Sequence, residues 1–193
     1  MAMVAQVPRY TAAEVRTFDD RRLRFEVIGG ELLVSPAPGT PHQRAVGALH
    51  AILREYVREC GLGEAFVAPF EVELAEDTAV QPDVLVLLRG QAARLTRERL
   101  LGAPALVVEV ISYSSKRTDR LQKRELYQAE GVAEYWIVDP ELRRVERWTP
   151  GATAPEILTE RVVWQPAAGT PRLEIGLPAL FDEVWQGLEA PQG

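Results

Sequence analysis

Cysteine is nearly absent: Cys60 is the only one among 193 residues. An intramolecular disulfide is therefore excluded, and so is a cage of cysteine thiolates around zinc. A reducing cytoplasm is the expected compartment. No apolar run approaches the roughly 20 residues that span a bilayer. Met1–Tyr10 lacks a basic segment followed by an apolar one, so no secretory signal is expected. Lysine is scarce as well. Of 22 basic residues only Lys116 and Lys123 are lysines. Arginine is a planar, permanently charged fork, whereas lysine is a compact charge whose pKa can be tuned. In such a chain each remaining lysine is either a chance member of a solvated helix face or a residue doing what arginine cannot. The net charge of −6 argues against a protein that coats nucleic acid through bulk charge. It leaves room for a local basic stretch and for carboxylates that bind metal.

The remaining composition, 47% hydrophobic and 26% charged, is that of an ordinary globular chain. Its length suits one domain with a sizeable core. The pattern predicts a capping box at Thr11–Glu14 opening a short helix to about Phe18. A hairpin of Leu23–Ile28 and Glu31–Val34 turns at Gly29-Gly30. A Pro/Gly loop follows at Ser35–Pro41. An amphipathic helix over His42–Glu59 is marked by Val46, Leu49, Ile52, Leu53, Tyr56 and Val57 and is stopped by Gly61. Glu64–Phe70 and Glu71–Leu74 read as one bent strand or a hairpin. Asp83–Leu88 and Leu106–Ile111 read as apolar strands, the second suited to burial on both faces. A short helix is expected at Thr96–Leu101 and a second main helix at Thr118–Glu130. Strands follow at Glu134–Val138 and Val145–Thr149, then two near Ile157 and Val163, and a terminal segment near Leu180-Phe181. The expected class is α/β or α+β with a central mixed sheet flanked by helices and extra hairpins. The expected organisation is a single domain over 1–193, with a core of about 11–148 and a C-terminal β extension of about 149–185.

Three places carry candidate chemistry. In Gln81-Pro82-Asp83 an acid stands at the mouth of an apolar strand, after a proline that sets an extended entry; alone, it also reads as a strand-edge turn. In Val107-Val108-Glu109-Val110-Ile111 an acid lies inside an apolar strand, where it must be protonated, paired or metal-bound. Asp119, Lys123 and Tyr127 are spaced to share one helix face; a surface ion pair would explain Asp119 and Lys123 alone. The flank Lys116-Arg117, Arg120 and Lys123-Arg124 is locally basic, either a solvated face or a phosphate contact. Taken together, two carboxylates and a lysine outline a site for hard Mg²⁺, with Mn²⁺ a substitute. Such an ion activates water and offsets phosphoryl charge, while the ammonium orients that water. Weaker candidates are His42 and Gln43 at a helix start, Tyr127, Arg120, and the serines Ser112, Ser114 and Ser115. His50 carries no signal. Trp136, Trp148, Trp164 and Trp185 read as core or interface aromatics.

The run Val107–Ser112, Asp119, Lys123, Tyr127, Gly131-Val132 and Glu134-Tyr135-Trp136-Ile137-Val138-Asp139-Pro140 closely resembles a restriction endonuclease family once carried as a domain of unknown function. That family is a branch of the PD-(D/E)XK nuclease superfamily. Phe25–Leu32, Pro41-His42-Gln43 and Gln81-Pro82-Asp83 resemble its upstream blocks. The resemblance implies a restriction-endonuclease-like core in which Asp83 and Glu109 hold the metal. It implies that the Val110 carbonyl is a further ligand and that Glu26 is an added N-terminal acid. Two residues after Glu109, where the superfamily has lysine, this chain has Ile111; Lys123 fits the role of a lysine displaced onto the next helix. The implied activity is Mg²⁺-dependent hydrolysis of DNA phosphodiester bonds, by a homodimer as the prior. The alternative is a catalytically silent nuclease-like module that binds nucleic acid or assembles with other chains.

Overall fold

The computed structural model describes residues 8–20, 22–111 and 119–188, without the side chains of Ala92, Ala93, Asp119 and Arg120. Its elements in order are α1 (Ala12–Val15), β1 (Leu23–Ile28), β2 (Glu31–Pro36), α2 (Thr40–Glu59), β3 (Gly63–Val67), β4 (Glu71–Ala75), β5 (Thr78–Val80) and β6 (Val84–Leu88). A 3-10 turn at Arg89–Arg94 leads to β7 (Arg99–Leu101) and β8 (Leu106–Val110). A π turn over Asp119–Lys123 runs into α3 (Arg124–Ala129). Then come β9 (Glu134–Asp139), β10 (Arg144–Trp148), β11 (Glu156–Leu158), β12 (Arg161–Trp164), β13 (Leu173–Gly176) and α4 (Leu177–Trp185).

Three sheets result. The first has the order β2-β1-β5-β4-β7, the second β11-β10-β9-β8-β6-β3, and β12 pairs with β13. The β8–β9 and β4–β7 pairs are parallel and the rest antiparallel, so the class is the expected mixed α+β. The β1–β2 turn works because Gly29 and Gly30 both hold positive φ, 54° and 81°, which a type I′ hairpin turn demands.

The second sheet is the organising layer. β8 is buried at every residue, and alternation sends its side chains to two different cores. Val108 and Val110 join α2, Trp136, Trp164 and α4 on one face. Val107 and Ile111 join Leu85, Tyr127, Tyr135 and Ile137 on the other. Glu109 shares the second direction, so its carboxyl points where the first sheet and the Lys123 segment pack.

Several expectations are corrected. Thr96–Leu101 is not helical. Thr96 closes a turn, its hydroxyl donating to the Arg99 carbonyl at 2.7 Å and accepting from the Arg99 amide at 3.0 Å. Leu100 is then pulled into the core beside Val72 as a strand. Glu64–Leu74 is neither a bent strand nor a hairpin, because β3 belongs to the second sheet and β4 to the first. The strand after Gly29-Gly30 extends to Pro36, and α2 begins at Thr40 with Pro41 in its first turn. The second main helix is split into a π turn and α3, with Thr118 outside the described residues. The C-terminal β extension ends in a helix, α4, whose Leu177, Leu180, Phe181 and Val184 complete the main core.

Candidate active site

Two sheets deliver the site. On β1, Arg24 and Glu26 are two apart and share a face. The chain leaves the first sheet at the end of β5 and enters the second at β6, and Gln81-Pro82-Asp83 spans that crossing. The Gln81 amide donates to Glu26 Oε1 at 2.7 Å, so the crossing itself fixes the first acid. Asp83 is held from three sides. Arg24 Nη1 lies 2.9 Å from its Oδ1, while His42 Nε2 and the Val110 amide lie 3.1 and 2.9 Å from its Oδ2. The Pro-Asp entry thus ties β6 to the backbone of β8.

Lys123 closes the arrangement. Its Nζ donates to Glu109 Oε1 at 2.7 Å and lies 3.1 Å from Glu26 Oε1. Tyr127, one turn further on, donates its hydroxyl to the same Glu109 oxygen at 3.0 Å. Glu26, Asp83, Glu109 and Lys123 are all at most 2% exposed. One ammonium therefore joins an acid of the first sheet to an acid of the second. Ile111, in the position that resembles the superfamily's lysine, packs in the apolar cluster with Tyr127 and Ile137.

The electrostatics follow from this packing. Burial alone would raise the pKa of Asp83. The hydrogen bond and field of His42 and the charges of Arg24 and Lys123 outweigh it, lowering the value to about 2. Burial works against the charge of Arg24, but Glu26, Glu109 and Asp83 hold it firmly protonated, its pKa raised. Burial, together with Glu109 and Glu26, pushes Tyr127 well above its ordinary value, so its hydroxyl remains a donor.

The structure brings together Glu26, Asp83, Glu109, Lys123 and Tyr127, with His42 at the edge. Val110 contributes its amide to Asp83, and its side chain lies in the main core. Gln43 is exposed on the first turn of α2, on the wall of the cleft that reaches Asp83. Arg120 has its backbone in the π turn and its side chain outside the description; Ser112, Ser114, Ser115, Lys116 and Arg117 lie outside the described residues. His50 stands 3.4 Å from the Ala65 carbonyl, away from the cluster's contacts. Trp136 and Trp164 meet edge to face in the main core, and Trp148 is buried beneath Arg124. Arg24 escaped sequence reasoning; its signal was its place two residues before Glu26 on a predicted strand.

Three buried carboxylates make an all-oxygen donor set of the kind a hard divalent cation prefers. Among the described residues, however, no three His, Cys, Asp or Glu side chains stand at metal-holding spacing. Lys123 and Arg24 pair with all three acids, two cations against three carboxylates, so the donor chemistry suits such an ion while the present contacts favour the protein's own cations.

The family pattern named Uma2, described as "Putative restriction endonuclease", matches residues 7–179. An uncharacterized protein of Synechocystis is 27% identical over 169 residues, spanning 83% of this chain and 92% of its own. A crystal structure from Anabaena variabilis, titled a putative nuclease belonging to DUF820, superposes with a TM-score of 0.75 at 18% identity. That match covers 91% of this chain and 99% of the other. At that identity the likeness speaks for the fold.

Proposed function

Since the chain belongs to the Uma2 restriction endonuclease family, we propose that it is a divalent-metal-dependent nuclease that hydrolyses DNA phosphodiester bonds at the Glu26–Asp83–Glu109–Lys123 cluster. The observation that carries this reading is Lys123 Nζ set 2.7 and 3.1 Å from two buried carboxylates contributed by different sheets. A buried lysine at such a junction has a role beyond surface solvation.

Asp83 and Glu109 would hold the ion, with Glu26 and the Val110 carbonyl beside them. When bound it would supply an acidified water and offset charge on the phosphoryl oxygens. The chain's own groups do the rest. Arg24 and His42 fix Asp83 in its anionic form. Tyr127 fixes Glu109. Lys123 orients the attacking water and offsets negative charge in the transition state. In this scheme the water oxygen bonds to phosphorus in line as the bond to the leaving sugar oxygen breaks. The water loses a proton, the leaving oxygen gains one, and no covalent enzyme intermediate forms.

The test is cleavage of single-stranded and duplex DNA by the purified chain with Mg²⁺ or Mn²⁺, compared with Asp83→Ala, Glu109→Ala and Lys123→Ala. Cleavage by the wild type that each variant loses supports the reading; metal-independent cleavage, or full activity in Lys123→Ala, overturns it. A second reading has its own observation: each of the acids is already paired with Lys123 or Arg24. This suits a nuclease-like module that binds nucleic acid without cutting it, and that reading wins if binding survives in Asp83→Ala while no substrate is ever cleaved. The proposal includes a homodimer, tested by sedimentation equilibrium.

A further inference from the structure

An open cleft of about 810 Å³ lies between the β1–β2 hairpin, the start of α2 and the Val67–Pro69 segment, and it reaches Asp83. Glu26, Glu109 and Lys123 do not line it, so Asp83, Arg24 and His42 are where the cleft meets the acid cluster. Its volume is that of a small-molecule pocket. Its walls are mixed. Phe18, Phe25, Pro36, Val46 and Pro69 give apolar surface, and Gln43 and Gln81 give amides. Phe18 and Phe25 are half-buried and meet edge to face at 5.4 Å, which sets their rings at a fixed angle.

The arginines of the cleft are all opposed, three of them (Arg16, Arg22, Arg24) facing four acids (Asp19, Asp20, Glu71, Asp83). Arg16 is paired with Glu71, Arg22 with Asp20 and Arg24 with Asp83, each acid on the same wall. A run of phosphates needs an unopposed cationic track, and this cleft has none. A flat, uncharged heteroaromatic ring with hydrogen-bonding edges matches apolar walls bearing amides. At the inner end, His42 lines the cleft while its Nε2 stays on Asp83 Oδ2 at 3.1 Å, so the imidazole closes the cleft against the acid cluster.

We propose that this cleft receives one unpaired nucleobase, placing the adjoining phosphodiester at Asp83, so that the substrate is nucleic acid with an unpaired nucleotide and not continuous duplex. The inference rests on the nuclease reading for its choice of a nucleic acid. Enzymes that act on a nucleotide otherwise held in a duplex take it out of the stack into a pocket, and bases stack on aromatic faces whatever their sequence. A nucleotide already in a single strand and one displaced at a mismatch share this chemistry.

The experiment measures binding of labelled oligonucleotides to the full chain by fluorescence anisotropy in chelator, so that cutting plays no part. The probes are a single strand, the matched duplex and a duplex with one mismatch. The single strand should bind roughly tenfold or more tightly than the matched duplex, and the mismatched duplex should fall between them if displaced bases enter. Phe18→Leu, which keeps apolar packing but removes the ring face, should weaken strand binding about tenfold and leave duplex binding unchanged. Gln43→Ala, at an exposed position that cannot unfold the chain, should reduce strand binding selectively as a second reporter. Equal or tighter binding of matched duplex, indifference to both substitutions, or no strand binding at all overturns the proposal. Strand binding in the cleft without cleavage under any metal condition sinks the nuclease reading instead, and metal-dependent cleavage confined to matched duplex sinks the cleft assignment alone.

Discussion

Lys123 is 1% exposed and lies against two carboxylates that are as deeply buried. Removing one partner of a buried ion pair leaves the others uncompensated, at about 3–5 kcal/mol. Lys123→Ala should therefore lose about that much stability in urea denaturation, as well as at least ~100-fold in cleavage rate. An effect on rate without one on stability would mean the ammonium is not shared as described. Asp83 gives a pH signature. Its folded pKa is lowered to about 2 from the ordinary aspartate value of 3.8. A group depressed on folding stabilises the native state above its unfolded value, and that contribution disappears as pH falls through the folded one. In metal-free buffer the wild type should lose about 2 kcal/mol from this group between roughly pH 4 and pH 2. Asp83→Asn should be less stable at neutral pH and show a flatter acid limb. The opposite slope would contradict the ion-pairing with Arg24 and His42.

At the scale of elements, the tail beyond β10 is part of the main core. Trp164 of β12, Ile175 of β13 and Leu177, Leu180, Phe181 and Val184 of α4 pack with α2 and the second sheet. Ending the chain at Thr149 should give an aggregated or unfolded product by circular dichroism and size-exclusion chromatography, since α2 would lose the apolar cover of its buried face. Ile111→Ala should cost about 2–5 kcal/mol, as for other large-to-small changes in a core. Strong local signals were legible in the sequence: the Gly29-Gly30 hairpin, the amphipathic α2, the doubly buried β8 and the acids at Asp83 and Glu109. What was illegible is what tertiary context decides. The residues of β7 have the composition of a helix, and only the burial of Leu100 beside Val72 makes them a strand. β3 and β4 are nearly contiguous, and nothing local says they join different sheets. Arg24 was missed for the same reason, because its meaning comes from Asp83, 59 residues away.

For the molecule as a whole, the acid cluster stands between internal cations and an external one. If a divalent ion binds the native site, stability must rise with its concentration, by about 2.7 kcal/mol at a hundredfold excess over Kd. Thermal melts in Mn²⁺ should therefore shift upward for the wild type and remain still for Asp83→Asn. Among the described residues no helix is long and apolar enough to cross a membrane.

The Gln81–Asp83 crossing and the bridge of Lys123 from Glu26 to Glu109 are two stitches through one seam. The registration of the two sheets is therefore written into the spacing of the reactive groups. A substitution far from the cluster that slackens how β1 seats against β6 should silence the chemistry at temperatures where circular dichroism still reports an intact fold. Heat inactivation would then run ahead of melting, with the seam as the part that yields first.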